Sequence, residues 1–134
     1  MFAAILLSIS VVALSQFALY YWRAVLAAVA GQPVSEGVLA AARVDNRVVT
    51  GEDFETFATL HDLTPTLDPR GGGLGFVKTY YSVVNKLATM ASNRMPGLAS
   101  WCDQERAVCA RYAAVQIDVR LAMNFEMAAS YRSC

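Results

Sequence analysis

The chain has 134 residues, the length of a single domain, and is 56% hydrophobic but only 16% charged, with equal numbers of basic and acidic residues. Soluble domains carry about 25% charged residues, so this composition excludes a charged disordered tail. It also excludes a polyanion-binding surface that depends on net positive charge, and we expect no nucleic-acid partner.

The chain opens with an apolar run. Residues 2–21 carry no charge, and about 20 such residues are enough for a helix to cross a hydrocarbon core. Tyr20, Tyr21 and Trp22 end the run and Arg23 follows, an order typical of the point where a spanning helix meets the membrane interface. The sequence predicts a single-pass transmembrane helix, with the bilayer as a partner and these four residues at the membrane interface.

Two other interpretations of this run are weaker. A signal peptide has a shorter apolar core of 7–15 residues and a basic start, although Ala28-Val29-Ala30 resembles a cleavage site. A buried core helix would need the rest of this short chain to surround a helix that is apolar on every side. We therefore expect the span to be retained.

The basic residues near the span predict its orientation. Arg23, Arg43 and Arg47 follow the apolar run and none precedes it, so the positive-inside rule places the N-terminus outside and the domain in the cytoplasm. Three cysteines suit a reducing compartment better than a disulfide framework. We expect a bacterial inner membrane.

The polar residues of the span predict a packed face. Ser8 and Ser15 are small enough to admit a second helix, or they can bond back to their own helix carbonyls, and both alternatives stay open. Gln16 favours a packed face, because an amide facing lipid is costly. The Gln16 amide would find a hydrogen-bond partner either through self-association of the span or through contact with larger integral membrane proteins.

The rest of the chain divides at breaker residues. The first helix continues over residues 24–30 until Gly31 and Pro33. Residues 1–30 therefore form the span and its extension, and residues 31–49 a linker with a short interfacial helix. Within this linker, residues 44–49 are irregular or a small hairpin. Residues 50–134 form a helical domain.

Three helices are predicted in that domain, which makes the fold all-α: one transmembrane helix followed by a small helical bundle or hairpin. Thr50 caps a helix that ends near Asp62. After a Pro- and Gly-rich connector, residues 74–91 show helical periodicity. A short turn precedes a long helix over residues 98–131, which makes the last two helices antiparallel neighbours.

The first two of these helices lie in segments of opposite net charge. Residues 43–68 have a net charge of −4 and residues 70–94 a net charge of +4. The acidic and basic helices can pair with each other, or each can bind a partner.

No residue pattern predicts catalysis. Cys102 and Cys109 lie about 10.5 Å apart along a helix, beyond the Cα separation of a disulfide, and are expected to be buried structural thiols. Cys134 at the chain end is a more plausible reactive or modified thiol than either of them, and His61 is expected to pack and cap its helix. The glycine run before residue 76 lacks the P-loop pattern. We expect no metal, no cofactor and no enzymatic activity.

The long helix carries a predicted packing seam at steps of three and four residues, formed by Trp101, Glu105, Val108, Tyr112, Val115, Val119, Ala122 and Glu126. We expect both glutamates at the seam's edge beside nearby arginines, namely Arg106, Arg111, Arg120 and Arg132. Four aromatic residues of types that dominate interface energetics are the predicted partner interface, together with Ser8, Ser15 and Gln16 of the span: Trp101, Tyr112, Phe125 and Tyr131.

These features favour a non-catalytic accessory subunit that anchors and stabilises a larger membrane complex, such as a respiratory, photosynthetic or transport assembly. The alternative is a membrane-anchored regulator or sensor whose helical domain binds a soluble partner through Lys78 and Lys86.

Overall fold

The computed structural model describes residues 1–43, 49–65 and 74–134, and these ranges form five α-helices and one 3-10 turn with no strand. The elements are α1 (Phe2–Ala30), α2 (Glu36–Ala41), the 3-10 turn (Gly51–Asp53), α3 (Phe54–Leu63), α4 (Gly75–Ala91) and α5 (Pro96–Arg132). The predicted all-α class is confirmed. The predicted irregular segment at 44–49, apart from its last residue, and the glycines at 71–73 lie outside the described residues.

Helix α1 has two environments. Residues 1–21 are exposed along their whole length, and no other part of the described chain covers them. Beyond that point α1 continues without a break into the domain, where Leu26 and Ala30 are buried. Within the described residues, α1 is the one helix long and apolar enough to cross a membrane.

Helix α5 is the central element of the domain. Helix α1, the 3-10 turn, α3 and α4 all pack against it, and α5 extends over 37 residues. Its buried face is made largely of small side chains, because several helices approach it closely. The buried residues are Cys102, Glu105, Cys109, Ala110, Ala113, Ala114, Val115 and Ile117.

This buried face differs from the predicted seam. Val119 and Ala122 are exposed, whereas Cys102 and Cys109 are fully buried. The alternating three-and-four rule describes a narrow contact with one partner helix. Because α5 packs against helices on several sides, its buried face is broader and shifted toward the small residues.

The local predictions for α3 and α4 agree with the structure. Thr50 and Asp53 form a capping box, with the Thr50 amide donating to Asp53 Oδ2 at 2.9 Å. Helix α3 buries Phe54, Phe57, Ala58 and His61. Helix α4 buries Leu74 at its N-cap and then Val77, Tyr81, Val84 and Ala91 at helical spacing, whereas Leu87 is exposed.

Helix α2 packs on the domain far from the span. Its N-cap residue Ser35 is bound to α5 through its amide, which donates to Asp118 Oδ2 at 2.6 Å, and Val38 is buried. Asp118 is thirteen residues, or about 20 Å, along α5 from the level of Arg23. Helix α2 therefore buries its apolar residue against protein, and its predicted place at the membrane interface stays a prediction.

Candidate functional site at the junction of the span and the domain

A polar network joins three helices where α1 enters the domain. The Arg23 guanidinium on α1 donates to Glu105 Oε1 on α5 at 2.6 Å. The Tyr80 hydroxyl on α4 donates to Glu105 Oε2, also at 2.6 Å. Both oxygens of one carboxylate are therefore occupied, and the carboxylate fixes α1 and α4 against α5.

Glu105 corrects a sequence prediction. It is buried rather than at the edge of α5, and its cation comes from α1 rather than from the arginines of its own helix. An isolated buried carboxylate is costly, so burial requires a paired cation and hydrogen-bond donors. Glu126, by contrast, is exposed. The same network affects Tyr80, because burial and its hydrogen bond to Glu105 raise the pKa of the phenol.

Aromatic side chains surround this network. The Trp22 ring packs edge-on against Phe76 of α4, with ring centroids 4.5 Å apart. The Arg23 guanidinium carbon lies 5.3 Å from the centre of the Trp101 ring, at cation–π distance. Of the four residues predicted at the membrane interface, Trp22 and Arg23 thus contact the domain, while Tyr20 and Tyr21 are exposed.

The predicted partner-interface residues separate into two groups. Trp101 and Tyr112 are half-buried, and Tyr112 packs against the domain's own core. Phe125 and Tyr131 are 73% and 78% exposed in the last turns of α5. Their role in binding a partner stays a prediction.

The two serines of the span bond back to carbonyls of their own helix, which is one of the two alternatives that the sequence left open. The Ser8 hydroxyl donates to the Ala4 carbonyl at 2.8 Å, and Ser15 donates to the Val11 carbonyl at 2.7 Å. Both hydroxyls are therefore satisfied within α1, and Gln16 is exposed. Of the three residues predicted to pack against another helix, Gln16 therefore remains the one that favours such a contact, because its amide would otherwise face lipid.

The cysteines and the histidine take no part in the hydrogen bonds of the network, although the Glu105 carboxylate adds to the rise in pKa of both buried thiols. Cys102 and Cys109 are fully buried. Burial raises the pKa of both thiols, to about 12 for Cys109, so neither is a ready nucleophile. Cys134 is exposed. Among the described residues, no group of three or more His, Cys, Asp and Glu side chains could hold a metal ion.

His61 is buried on α3 and neither ring nitrogen has a hydrogen-bond partner. Nδ1 lies 3.6 Å from the Asp62 carboxylate, beyond hydrogen-bond distance. Desolvation and the nearby Arg120 lower the pKa of the imidazole. The His61 backbone carbonyl, in turn, accepts from Arg120 at 2.9 Å.

The acidic and basic helices contact each other. Lys78 Nζ of α4 lies 2.6 Å from Asp62 Oδ2 of α3. This ion pair lowers the pKa of Asp62. Lys78 therefore already has an ion-pair partner within this chain. Pairing of the acidic helix with the basic helix is one of the two alternatives that their charges allowed.

The network itself was missed by sequence reasoning, because Arg23 and Glu105 are 82 residues apart. The available signals were a basic residue directly after the span and an acid within an apolar seam. Comparisons of the chain with protein-family models, curated proteins and solved structures give no match.

Proposed function

We propose that this chain is a non-catalytic accessory subunit of a larger membrane complex, held in the bilayer by α1. The observation that carries the proposal is the bare C-terminal part of α5. From Leu121 onward most side chains of this helix are exposed, and Met123, Phe125 and Tyr131 are large apolar residues among them. Aromatic and methionine side chains are enriched in protein interfaces.

The junction network supports the proposal that the exposed C-terminal part of α5 is held in a fixed direction for a partner to bind. Because Arg23 and Tyr80 both bind Glu105, the direction of α5 is fixed relative to α1. Tyr131 lies 26 residues beyond Glu105, about 39 Å along the helix. These contacts support the proposal that the distant apolar segment is held at a defined height above the membrane, as a subunit that braces a neighbour requires.

The proposed topology is N-terminus outside and domain in the cytoplasm of a bacterium. It follows from Arg23, Arg43 and Arg47 on the domain side of the span. The partners we propose are larger integral membrane proteins that contact the span, near Gln16, and the bare part of α5.

The test is extraction in mild detergent, native-size separation and mass spectrometry of co-migrating proteins. We expect the chain to travel with a defined set of larger membrane proteins. The double variant Phe125→Ala/Tyr131→Ala should lose these partners, whereas Leu63→Ala should retain them, since Leu63 is an equally exposed apolar residue (73%) on α3. If the chain migrates alone or as a small homo-oligomer, the proposal is wrong.

The alternative, a regulator that binds a soluble partner through Lys78 and Lys86, has less support because Lys78 already pairs with Asp62. Reversal of both charges separates the two functions. The variant Lys78→Glu/Lys86→Glu should leave assembly with membrane proteins intact for an accessory subunit and abolish capture of a soluble partner for a regulator.

A further inference from the structure

The turn between α4 and α5 is an apolar, nearly uncharged end of the domain. We define the α4–α5 tip as residues 87–102, a stretch in which Arg94 is the one charged side chain. Met90 is 76% exposed and Met95 is 59% exposed, and Leu87 and Leu98 are also exposed. Several exposed large apolar side chains within one short stretch are typical of an interaction surface.

The contacts between α5 and the chain from Arg23 to Ser35 show which end of the domain the tip occupies. Arg23 pairs with Glu105, and Ser35 pairs with Asp118, so the two chain segments run in the same direction with nearly the same offset. Helix α5 begins at Pro96, about 13 Å before Glu105 at 1.5 Å per residue. The tip therefore lies on the side of the junction from which the apolar part of α1 extends.

The opposite end of the domain has a different chemistry. Its exposed or half-buried charges are dense and mixed, with Glu36, Asp62, Asp118 and Glu126 beside Arg43, Arg111, Arg120 and Arg132, whereas the tip carries Arg94 alone. A densely charged end is costly to bring into the interfacial layer, and an apolar end with one basic residue favours anionic headgroups. The charge distribution thus agrees with the register on which end faces the membrane.

We propose that the α4–α5 tip inserts into the interfacial layer of the bilayer beside α1. This inference rests on the proposed membrane anchoring by α1. Met90, Met95 and Leu98 enter the boundary between headgroups and acyl chains, where interfacial helices bury apolar side chains about 5–10 Å deep. Arg94 and Lys86 bind the lipid phosphates from the same surface. The domain then contacts the membrane at two points, which fixes its tilt as well as its height.

The test measures depth in the bilayer from single spin labels on the full-length protein. Cys102 and Cys109 are fully buried and Cys134 is exposed, so Cys134→Ser gives a background without a reactive surface thiol. Separate variants Met90→Cys and Met95→Cys place the label at the tip. Val12→Cys labels the centre of the span, and Leu63→Cys labels an exposed apolar position on the far end of α3. The purified variants are reconstituted in phosphatidylcholine vesicles with and without phosphatidylglycerol, and accessibility to oxygen and to a water-soluble nickel chelate is compared.

We expect the Met90 and Met95 labels to favour oxygen over the nickel chelate, at a depth between those of the Val12 and Leu63 labels. Phosphatidylglycerol should deepen them, and the added substitution Arg94→Glu should reverse that deepening. Tip labels as accessible to the chelate as the Leu63 label, with Val12 deep, would overturn the docking of the tip and leave the anchor intact. A Val12 label that is accessible to the chelate would instead overturn the anchor on which the inference rests.

Discussion

The two parts of α5 are one continuous helix in two surroundings. From Cys102 to Ile117 its inner face is buried under α1, the 3-10 turn, α3 and α4. From Leu121 to Arg132 its surface is largely exposed, although the Asn124 amide donates to the carbonyl of Pro65, two residues beyond α3, at 2.7 Å. Both parts keep the same backbone geometry, so the difference lies in what covers them.

This comparison indicates how the domain divides its apolar surface. The covered part presents mainly alanine and cysteine, which let neighbouring helices approach closely, together with Val115 and Ile117. Most of the larger apolar core residues come from α1, α3 and α4. The bare part presents Met123, Phe125 and Tyr131 outward. Short helices are marginally stable in water without packing, and the bare part is stabilised because it extends an already formed helix. Its large side chains serve binding rather than folding under the proposed function.

The largest expected effect on the free energy of unfolding comes from comparing two phenylalanines, one packed against the covered part of α5 and one on its bare part. Phe57 is fully buried against the covered part, and Phe125 is exposed on the bare part. Phe57→Ala should lower the free energy of unfolding by about 3–5 kcal/mol, because it opens a cavity in the core. Phe125→Ala should change it by less than about 0.5 kcal/mol. Urea unfolding of the full chain in detergent, followed by circular dichroism, measures both.

A large loss for Phe125→Ala would contradict the division, since it would show that the bare part packs on the domain. Retention of all co-migrating partners by Phe125→Ala/Tyr131→Ala would contradict the proposed role of the bare part without affecting the fold. The two measurements therefore test structure and function separately.

The second effect concerns the junction network that fixes the covered part to the span. Arg23→Met leaves the buried Glu105 carboxylate with Tyr80 as its remaining donor in the network. Removing one partner of a fully buried pair costs about 3–5 kcal/mol, and we expect about 2–3 kcal/mol here because the Arg23 side chain is half-exposed. The double variant Arg23→Met/Glu105→Leu should recover part of that loss, because an apolar pair needs no desolvated charge.

The matched control is the exposed pair between Arg106 and Asp103 on α5, at 3.3 Å. Asp103→Asn should cost less than about 0.5 kcal/mol, as surface ion pairs do. Equal losses for Arg23→Met and Asp103→Asn would show that the junction pair behaves as an ordinary surface contact. Thermal unfolding in detergent compares these three variants with the unsubstituted chain under one condition.

The sequence predicts the local features of this fold well, and the junction shows why it misses others. Helix α4 and the long helix begin and end within two residues of their predicted bounds, because periodicity, Pro96 and the preceding turn act over a few residues. The burial of Glu105 depends on Arg23, which is distant in the chain. The position of α2 depends likewise on Asp118. No pattern within one helix contains that information, so these residues were expected at edges and interfaces instead.

The smallest effect lies at the boundary between the two parts of α5, where Arg120 binds the carbonyl of the buried His61. Desolvation and Arg120 outweigh Asp62, so the pKa of His61 in the folded state lies below its ordinary value of 6.5. The unfolded chain therefore binds the proton more readily. The stability that the neutral imidazole supports is fully present above about pH 6.5 and is lost as pH falls below that value toward the folded-state pKa.

The free energy of unfolding should accordingly fall with pH below 6.5, by at most about 1.4 kcal/mol per pH unit. His61→Leu conserves the side-chain volume approximately and removes the titrating group, so its curve should be flat between about pH 5 and pH 7. The lone histidine of the chain makes this window specific, since the carboxylates titrate mainly at lower pH. If the free energy of unfolding depends on pH in the same way in the unsubstituted chain and in His61→Leu, then His61 is not desolvated. In that case α3 does not exclude water from the end of the covered part of α5.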